Sequence, residues 1–256
     1  PLPLHWGKDL LETPEPFTLP YPILRAHQEG LFPRPERSPP KYQKIRYNIY
    51  PGGRKKRGES RGMVCHCTPP TDPEELGCGE ECFNRLLYYE CDPRTCPCGD
   101  RCGNRRIQQA QFVSQLDVFD TIDRGFGLRT LQDIPAGQMI TEYRGEVISA
   151  EECENRRERL YKGQENLYFL EYDRGDVLDA GLKGTDARYV NHSCDPNCHI
   201  EKWYIHGEAY IILVASRDLK AKEELCYDYN LSVFGDASAQ QCRCGSEKCR
   251  SIIGSK

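Results

Sequence analysis

Cys91-Asp92-Pro93-Arg94-Thr95-Cys96-Pro97-Cys98-Gly99-Asp100-Arg101-Cys102 sets four thiols within twelve residues, with Pro, Gly and Asp at the turns between them and no aliphatic side chain. Outward from it, Cys65-His66-Cys67, Cys78 and Cys82 bring the count between residues 63 and 112 to eight cysteines. A stretch so poor in aliphatic residues cannot build an ordinary hydrophobic core. Thiolates at these intervals are the ligand set of structural zinc, whose binding free energy is then folding free energy. Eight thiolates can supply two separate tetrahedral sites, and seven can if one sulfur bridges two ions; spacing alone leaves both arrangements open.

A second group, Cys242-x-Cys244-x4-Cys249, has three thiols and must borrow a fourth ligand to close a tetrahedron. Cys194, in Asn191-His192-Ser193-Cys194-Asp195-Pro196-Asn197-Cys198, is the favoured lender over Cys198, and its use would clamp the tail against that loop. Fifteen cysteines would suit a disulfide scaffold in a small secreted chain. Here they bunch at metal-ligand intervals, and the start from Pro1 to Lys8 has no basic segment followed by an apolar one. With no run of about 18 apolar residues either, the expectation is a chain that neither spans a membrane nor is secreted.

Between the clusters the pattern changes. Short apolar or alternating runs, Gln138 to Ile148, Leu167 to Tyr172 and Ala209 to Ala215, are punctuated by Gly, Asp and Asn, which predicts small β-sheets. One helix is expected over Glu151 to Tyr161, because Ser149 and Glu152 have capping-box spacing. Residues 1–62 hold more than half of the eighteen prolines and read as an extended arm. The formal charge of −4 hides a local run, Arg54-Lys55-Lys56-Arg57, suited to an acidic partner such as DNA.

Four motifs in this order, Arg124-Gly125-Phe126-Gly127-Leu128-Arg129, Glu142-Tyr143-Arg144-Gly145-Glu146, Arg188-Tyr189-Val190-Asn191-His192-Ser193-Cys194 and Leu225-Cys226-Tyr227-Asp228-Tyr229, resemble the SET-domain family of protein lysine methyltransferases. The cysteine-rich stretch before them resembles the associated-with-SET (AWS) module. The resemblance implies a mainly β SET fold with a threaded C-terminal segment, arranged as an arm (1–62), an AWS module (63–112), a SET domain (113–235) and a post-SET loop and zinc module (236–256). It further implies two AWS zinc ions, one on Cys65, Cys67, Cys78 and Cys82 and one on Cys78, Cys91, Cys96 and Cys102, with Cys98 spare. A third would sit on Cys194, Cys242, Cys244 and Cys249.

For the reaction, the resemblance implies S-adenosylmethionine as cofactor, held by Arg124, Gly125, Phe126, Gly127, Leu167, Tyr168, Phe169, Asn191 and His192. Tyr229 and Tyr168 correspond to the tyrosines that orient the substrate amine. Tyr227 stands where the family carries Phe or Tyr, and its hydroxyl implies mono- and dimethylation. AWS modules accompany the enzymes of histone H3 lysine 36, and Cys91–Cys102 with Cys249-Arg250-Ser251-Ile252-Ile253-Gly254 is most like the absent, small or homeotic discs (Ash) class. In that class Phe17-Thr18-Leu19-Pro20 fits a motif, carried here by Phe17, Leu19 and Pro20, that recruits an activating MRG-domain protein. Ser232 and Phe234 are the plug candidates of an autoinhibitory loop. The implied setting is histone H3 in the nucleosome, in the nucleus on the chromosome. Two other readings fit the same residues: an inactive SET and zinc module that binds chromatin, and a methyltransferase for a non-histone protein.

Overall fold

The computed structural model describes residues 37–53, 63–121, 124–164, 166–229 and 241–253, and the elements below lie in the unit Pro39–Lys256. Phe17, Leu19 and Pro20, the run Arg54, Lys55, Lys56 and Arg57, and the plug candidates Ser232 and Phe234 fall outside the described residues. The fold is mainly β, in five small sheets. In chain order these comprise β1 (Gln43–Lys44), β2 (Leu116–Asp120), β3 (Phe126–Thr130), β4 (Met139–Tyr143) and β5 (Glu146–Ile148). There follow β6 (Phe169–Glu171), β7 (Val177–Asp179), β8 (Lys183–Gly184), β9 (Asn191–His192), β10 (Cys198–Ile205), β11 (Glu208–Ala215) and β12 (Cys226–Tyr227). Two short α-helices, α1 (Phe83–Leu86) and α2 (Ala150–Arg159), complete the set among the described residues.

The central strand is β11, paired antiparallel with β10 on one side and β4 on the other. Its run is apolar because both of its faces are covered. Leu213 and Ala215 pack with Leu128, Ile140 and Leu225, whereas Ile212 and Val214 point the other way onto Met139, Trp203 and Ile205. Full burial of one such side chain is worth about 1.5–3 kcal/mol. The β10–β11 hairpin turns at His206-Gly207, where φ is +50° and +80°. Positive φ at both central positions is the two-residue turn that matches the natural strand twist.

The cysteine module has its own core, in which Cys65, Cys78, Cys82, Cys91, Cys96, Cys98 and Cys102 are buried together. It is seated on the edge of β10. The amide of Tyr204 donates to the carbonyl of Tyr88 at 2.8 Å, and that of Glu90 to the carbonyl of Tyr204 at 3.1 Å. Tyr89 stacks on Tyr204, with ring centroids 5.2 Å apart. The buried Glu90 carboxylate accepts the amides of Ile107 (2.6 Å) and Gln108 (3.0 Å), which anchors the module's exit into the β-sheets that follow. Covering the edge of β10 in this way removes an unpaired strand edge.

Helix α2 begins one residue before the expected start and ends at Arg159, so Tyr161 lies beyond it. The Ser149 hydroxyl accepts the Glu152 amide at 3.2 Å, which is the N-cap that the spacing predicted. Cys153 is the helix's buried residue, packed with Ile148 and Val177. Arg156 reaches Glu146 and Asp179, each at 2.7 Å, and pins the helix to β5 and β7. Thermal unfolding of Ser149→Ala is expected to show a loss of about 1 kcal/mol, and Ser149→Asp, which keeps an acceptor, to stay near wild type. Equal midpoints for all three proteins would deny the cap this role.

Candidate functional site

Strand β12 lies parallel to β9, with Cys226 opposite Asn191 and Tyr227 opposite His192. That pairing sets two aromatic rings side by side against the core, with the centroids of Tyr227 and Tyr229 4.6 Å apart. The Tyr229 hydroxyl donates to the Val190 carbonyl at 2.5 Å, and the Tyr229 amide donates to His192 Nδ1 at 3.0 Å. From β4, the Tyr143 hydroxyl donates to the Tyr168 carbonyl at 3.1 Å. Tyr189 joins the cluster edge-on to both Tyr168 and Phe126, at 6.2 Å in each case. Burial pushes the phenols of Tyr143, Tyr227 and Tyr229 above the ordinary tyrosine range, and for Tyr143 and Tyr229 neighbouring phenols add to it. They therefore stay neutral at physiological pH and act as polar-tipped aromatic surfaces, not as bases.

Tyr227 and Tyr229 pack in one cluster, Tyr168 borders the neighbouring one and meets the first through Tyr189, and the structure adds a residue quoted in a motif but given no role. Arg188 is buried, with its guanidinium carbon 3.7 Å from the Tyr168 ring centroid, 4.6 Å from that of Tyr42 and 5.3 Å from that of Tyr189. One of its terminal nitrogens donates to the Gly181 carbonyl at 2.9 Å. A cation held by three aromatic faces fixes the Tyr168 ring from behind. Only the apolar neighbours Ala187 and Val190 hinted at its burial; Tyr42 and Tyr168 are too distant in sequence to be read as its partners.

The turn before β3 carries the glycine-rich motif. Gly125 has φ +74°, and a Cβ there would meet nothing nearer than Asn166 Nδ2 at 3.8 Å, so its backbone is open on that side. Phe126 lies at the turn's end, partly buried against the core. The two neighbours of Tyr168 differ in setting: the Phe169 ring, in β6, packs on Tyr161 at 5.6 Å and beside Cys153, whereas Leu167, before the strand, is exposed. The Asn191 amide donates to the Phe126 carbonyl at 3.2 Å, joining β9 to this turn. Open glycine backbone at Gly125 beside the aromatic Phe126 and Tyr189 suits an aromatic or cationic ligand group.

Three sulfur groups have ligand geometry. In each of Cys65, Cys67, Cys78 and Cys82, then Cys65, Cys78, Cys91 and Cys96, then Cys194, Cys242, Cys244 and Cys249, the four sulfurs lie within 4.8 Å of one another. The first two share Cys65 and Cys78, and Cys102, buried beside them, accepts the Asn104 amide at 3.4 Å and belongs to neither group. Cys98 instead turns its thiol toward the carbonyls of Cys67 (3.9 Å) and Thr68 (3.7 Å). Amide donors aim at the sulfurs: Asn84 and Asn104 Nδ2 lie 3.5 and 3.4 Å from Cys91, and the Arg250 amide lies 3.3 Å from Cys194. Hydrogen bonds from Cys102, Asn84 and Asn104 lower the Cys91 thiol to about 4. Against a desolvation that raises it, backbone donors at Cys194 and Ser246 help bring Cys244 to about 6. Burial instead raises the thiols of Cys67, Cys78, Cys82 and Cys242, and a bound zinc ion would supply the positive charge that these need as thiolates. Cys198 is fully buried in the hydrophobic core and away from the third group.

His192 joins the two chemistries. Its Nδ1 accepts from Tyr229, so its proton is on Nε2, which faces Cys194 Sγ at 3.4 Å. Desolvation lowers its pKa, and the ring is neutral at physiological pH. Asp228 takes both terminal nitrogens of Arg250, at 2.5 and 3.0 Å, tying the tail to the segment that carries Tyr229.

Residues 125–230 match the SET domain family and residues 72–110 the AWS domain family. Among curated proteins, the chain is 45% identical over 194 residues to the Arabidopsis thaliana histone-lysine N-methyltransferase ASHH2, covering 75% of this chain and 11% of that protein. It is 38% identical over 260 residues to the Drosophila melanogaster histone-lysine N-methyltransferase ash1, covering 100% of this chain and 12% of that protein. With the Homo sapiens histone-lysine N-methyltransferase, H3 lysine-36 specific, it shares 39% over 226 residues, or 86% of this chain and 8% of that one. The chain thus spans about a tenth of the length of these relatives. The crystal structure of the methyltransferase domain of human SETMAR superposes with a TM-score of 0.65 at 25% identity, covering 86% of this chain and 91% of that one.

The hydroxyls of Tyr229 and Tyr227 differ in what they hold. That of Tyr229 bonds Val190, whereas that of Tyr227 has no hydrogen-bond partner among the described residues. Denaturant unfolding of Tyr229→Phe is expected to show a loss of about 1–2 kcal/mol, because a buried carbonyl loses its donor, and Tyr227→Phe to lie within about 0.5 kcal/mol of wild type. The reverse order would contradict this hydrogen-bond pattern.

Proposed function

Because the chain belongs to the SET-domain family, we propose that it is an S-adenosylmethionine-dependent protein lysine N-methyltransferase acting on lysine 36 of histone H3 in nucleosomes. The observation that carries the reading is the convergence of Tyr168, Tyr227 and Tyr229 beside the Gly125-Phe126-Gly127 turn and Asn191. Similarity to ASHH2, ash1 and the lysine-36-specific human protein supports the substrate.

When bound, S-adenosylmethionine supplies a methyl group on a sulfonium centre. The chain's residues handle the amine. A free lysine has a pKa of about 10.4, and dry aromatic walls from Tyr168, Tyr227 and Tyr229 disfavour its charged form, so the proton leaves to solvent before attack. The neutral Tyr229 hydroxyl orients the nitrogen, while Arg188 holds the Tyr168 wall. The Tyr227 hydroxyl takes up space beside the amine, which favours mono- and dimethylation over trimethylation. Leu167, Phe169, Arg124 and His192 complete the cofactor's surroundings, Phe169 through its backbone.

Zinc is structural in this reading. Cys65, Cys67, Cys78 and Cys82 hold one ion, Cys78, Cys91, Cys96 and Cys102 a second, and Cys194, Cys242, Cys244 and Cys249 a third; four thiolates leave no open position for water. Ser232 and Phe234 plug the lysine channel at rest, an MRG-domain protein bound at Phe17, Leu19 and Pro20 relieves the block, and Arg54 to Arg57 contact nucleosomal DNA. The nucleus and its chromosomes are where this substrate stands.

Two experiments test the reading. Mass spectrometry of nucleosomes incubated with S-adenosylmethionine is expected to find mono- and dimethylation at lysine 36 of histone H3, increased by an MRG-domain protein and absent with Tyr229→Phe. Methylation confined to another lysine would overturn the substrate, and none at all, with or without the partner, would overturn the activity. Elemental analysis is expected to find three zinc ions per chain, and a strong chelator to abolish both the fold of residues 63–112 and methyl transfer. A chelated, metal-free protein that keeps its fold and activity would contradict it.

A further inference from the structure

The methyltransferase reading leaves one carboxylate at the site without a role. Glu224 stands two residues before Cys226 and lies between the two segments expected to hold the cofactor. Its Oε1 accepts from Asn191 Nδ2 at 2.9 Å and its Oε2 from a terminal nitrogen of Arg124 at 2.9 Å. One side chain therefore joins the glycine-rich turn to β9, next to the strand that carries Tyr227. An ionised carboxylate is acceptor-only, so both links are charge-assisted.

The chemistry of Asn191 shows what the link achieves. An amide nitrogen has two hydrogens. Here they go to the Phe126 carbonyl at 3.2 Å and to Glu224 at 2.9 Å. Because both partners are acceptors, the nitrogen must face them, and the orientation of the amide follows. Oδ1 is left as the acceptor with no hydrogen-bond partner among the described residues, suited to an N–H group of a ligand. Gly127 gives a second, independent sign. Its φ is not in the left-handed region, yet a Cβ there would stand 2.9 Å from Glu224 Oε1, and 3.0 Å from both Phe119 and Thr121. Glycine at this position makes room for the carboxylate, whereas glycine at 125 serves the turn itself.

We infer that Glu224 is a positioning residue for the cofactor: its carboxylate fixes Arg124 and the Asn191 amide at once, so that the amide's Oδ1 faces the N–H donors of S-adenosylmethionine. This rests on the methyltransferase reading above. Glutamine has the same shape but turns one acceptor into a donor, which then opposes either the Asn191 nitrogen or the Arg124 guanidinium. One of the two links is lost.

The test is isothermal titration of S-adenosylmethionine into the zinc-loaded chain, with steady-state methylation alongside. For Glu224→Gln the dissociation constant and the KM for cofactor are expected to rise by about tenfold or more, the loss of one charge-assisted bond. At saturating cofactor, kcat and the KM for nucleosome are expected to stay within about threefold of wild type. A merely structural role would lower all of these together with zinc content and melting temperature. Glu224→Asp keeps the charge but shortens the reach, is expected to show a smaller rise in the same KM, and decides the matter if the glutamine variant does not fold. Folded Glu224 variants with wild-type cofactor affinity would overturn the inference alone. Absence of cofactor binding by the wild type would overturn the methyltransferase reading, and the inference with it.

Discussion

The segment Asn191–Cys194 has to satisfy three neighbours with four residues, and the site is built around that constraint. Asn191 spends its amide hydrogens on Phe126 and Glu224, His192 takes the Tyr229 amide on one ring nitrogen and faces Cys194 with the other, and the Cys194 sulfur lies 3.6 Å from that of Cys242. The backbone is meanwhile committed to parallel pairing with β12. No part of this can shift alone. A displaced Cys194 drags the imidazole, the imidazole drags Tyr229, and Asn191 releases the glycine-rich turn. Packed, hydrogen-bonded networks of this kind have few alternative arrangements, which is how a small structure holds a reactive geometry.

The same logic explains the cysteine-rich module. Its buried residues are sulfurs with little hydrocarbon between them, so apolar burial contributes little and the sulfur ligands, once metallated, hold it together. Its attachment to β10 through Tyr88, Tyr89 and Glu90 makes the module a cover for a strand edge as well as a unit with a separate core. Energy released by metal binding in residues 63–112 would reach the β-sheets through Ile107, which packs with Met139 and Trp203.

What the sequence disclosed and what it concealed divide along one line. Local signals were legible: the Ser149 cap, the apolar run of β11, the turn glycines and the cysteine intervals each depend on residues within a few positions of one another. That three thiols need a fourth was legible as well; the sequence favoured Cys194 over Cys198 as that fourth, and its sulfur lies with the other three. Concealed were the contacts closed by the fold over long separations: Arg188 on Tyr42 and Tyr168, Tyr89 on Tyr204, Glu224 across to Arg124 and Asn191. A glutamate in Lys222-Glu223-Glu224-Leu225 reads as a solvated charge, and only the Gly127 contact reveals that room was made for it. The helix start differed by one residue and its end by two, within the ordinary fraying of a boundary.

The coupling through Asn191–Cys194 is the claim on which the account turns, and Cys194→Ser tests it most directly, with zinc content and S-adenosylmethionine affinity measured on the same preparation. The account expects one zinc ion to be lost while those of the other module stay, and cofactor binding to weaken by about tenfold or more, the usual scale for a disturbed support of a metal site. Loss of that zinc with cofactor affinity unchanged would contradict it, since the tail metal and the cofactor site would then be independent.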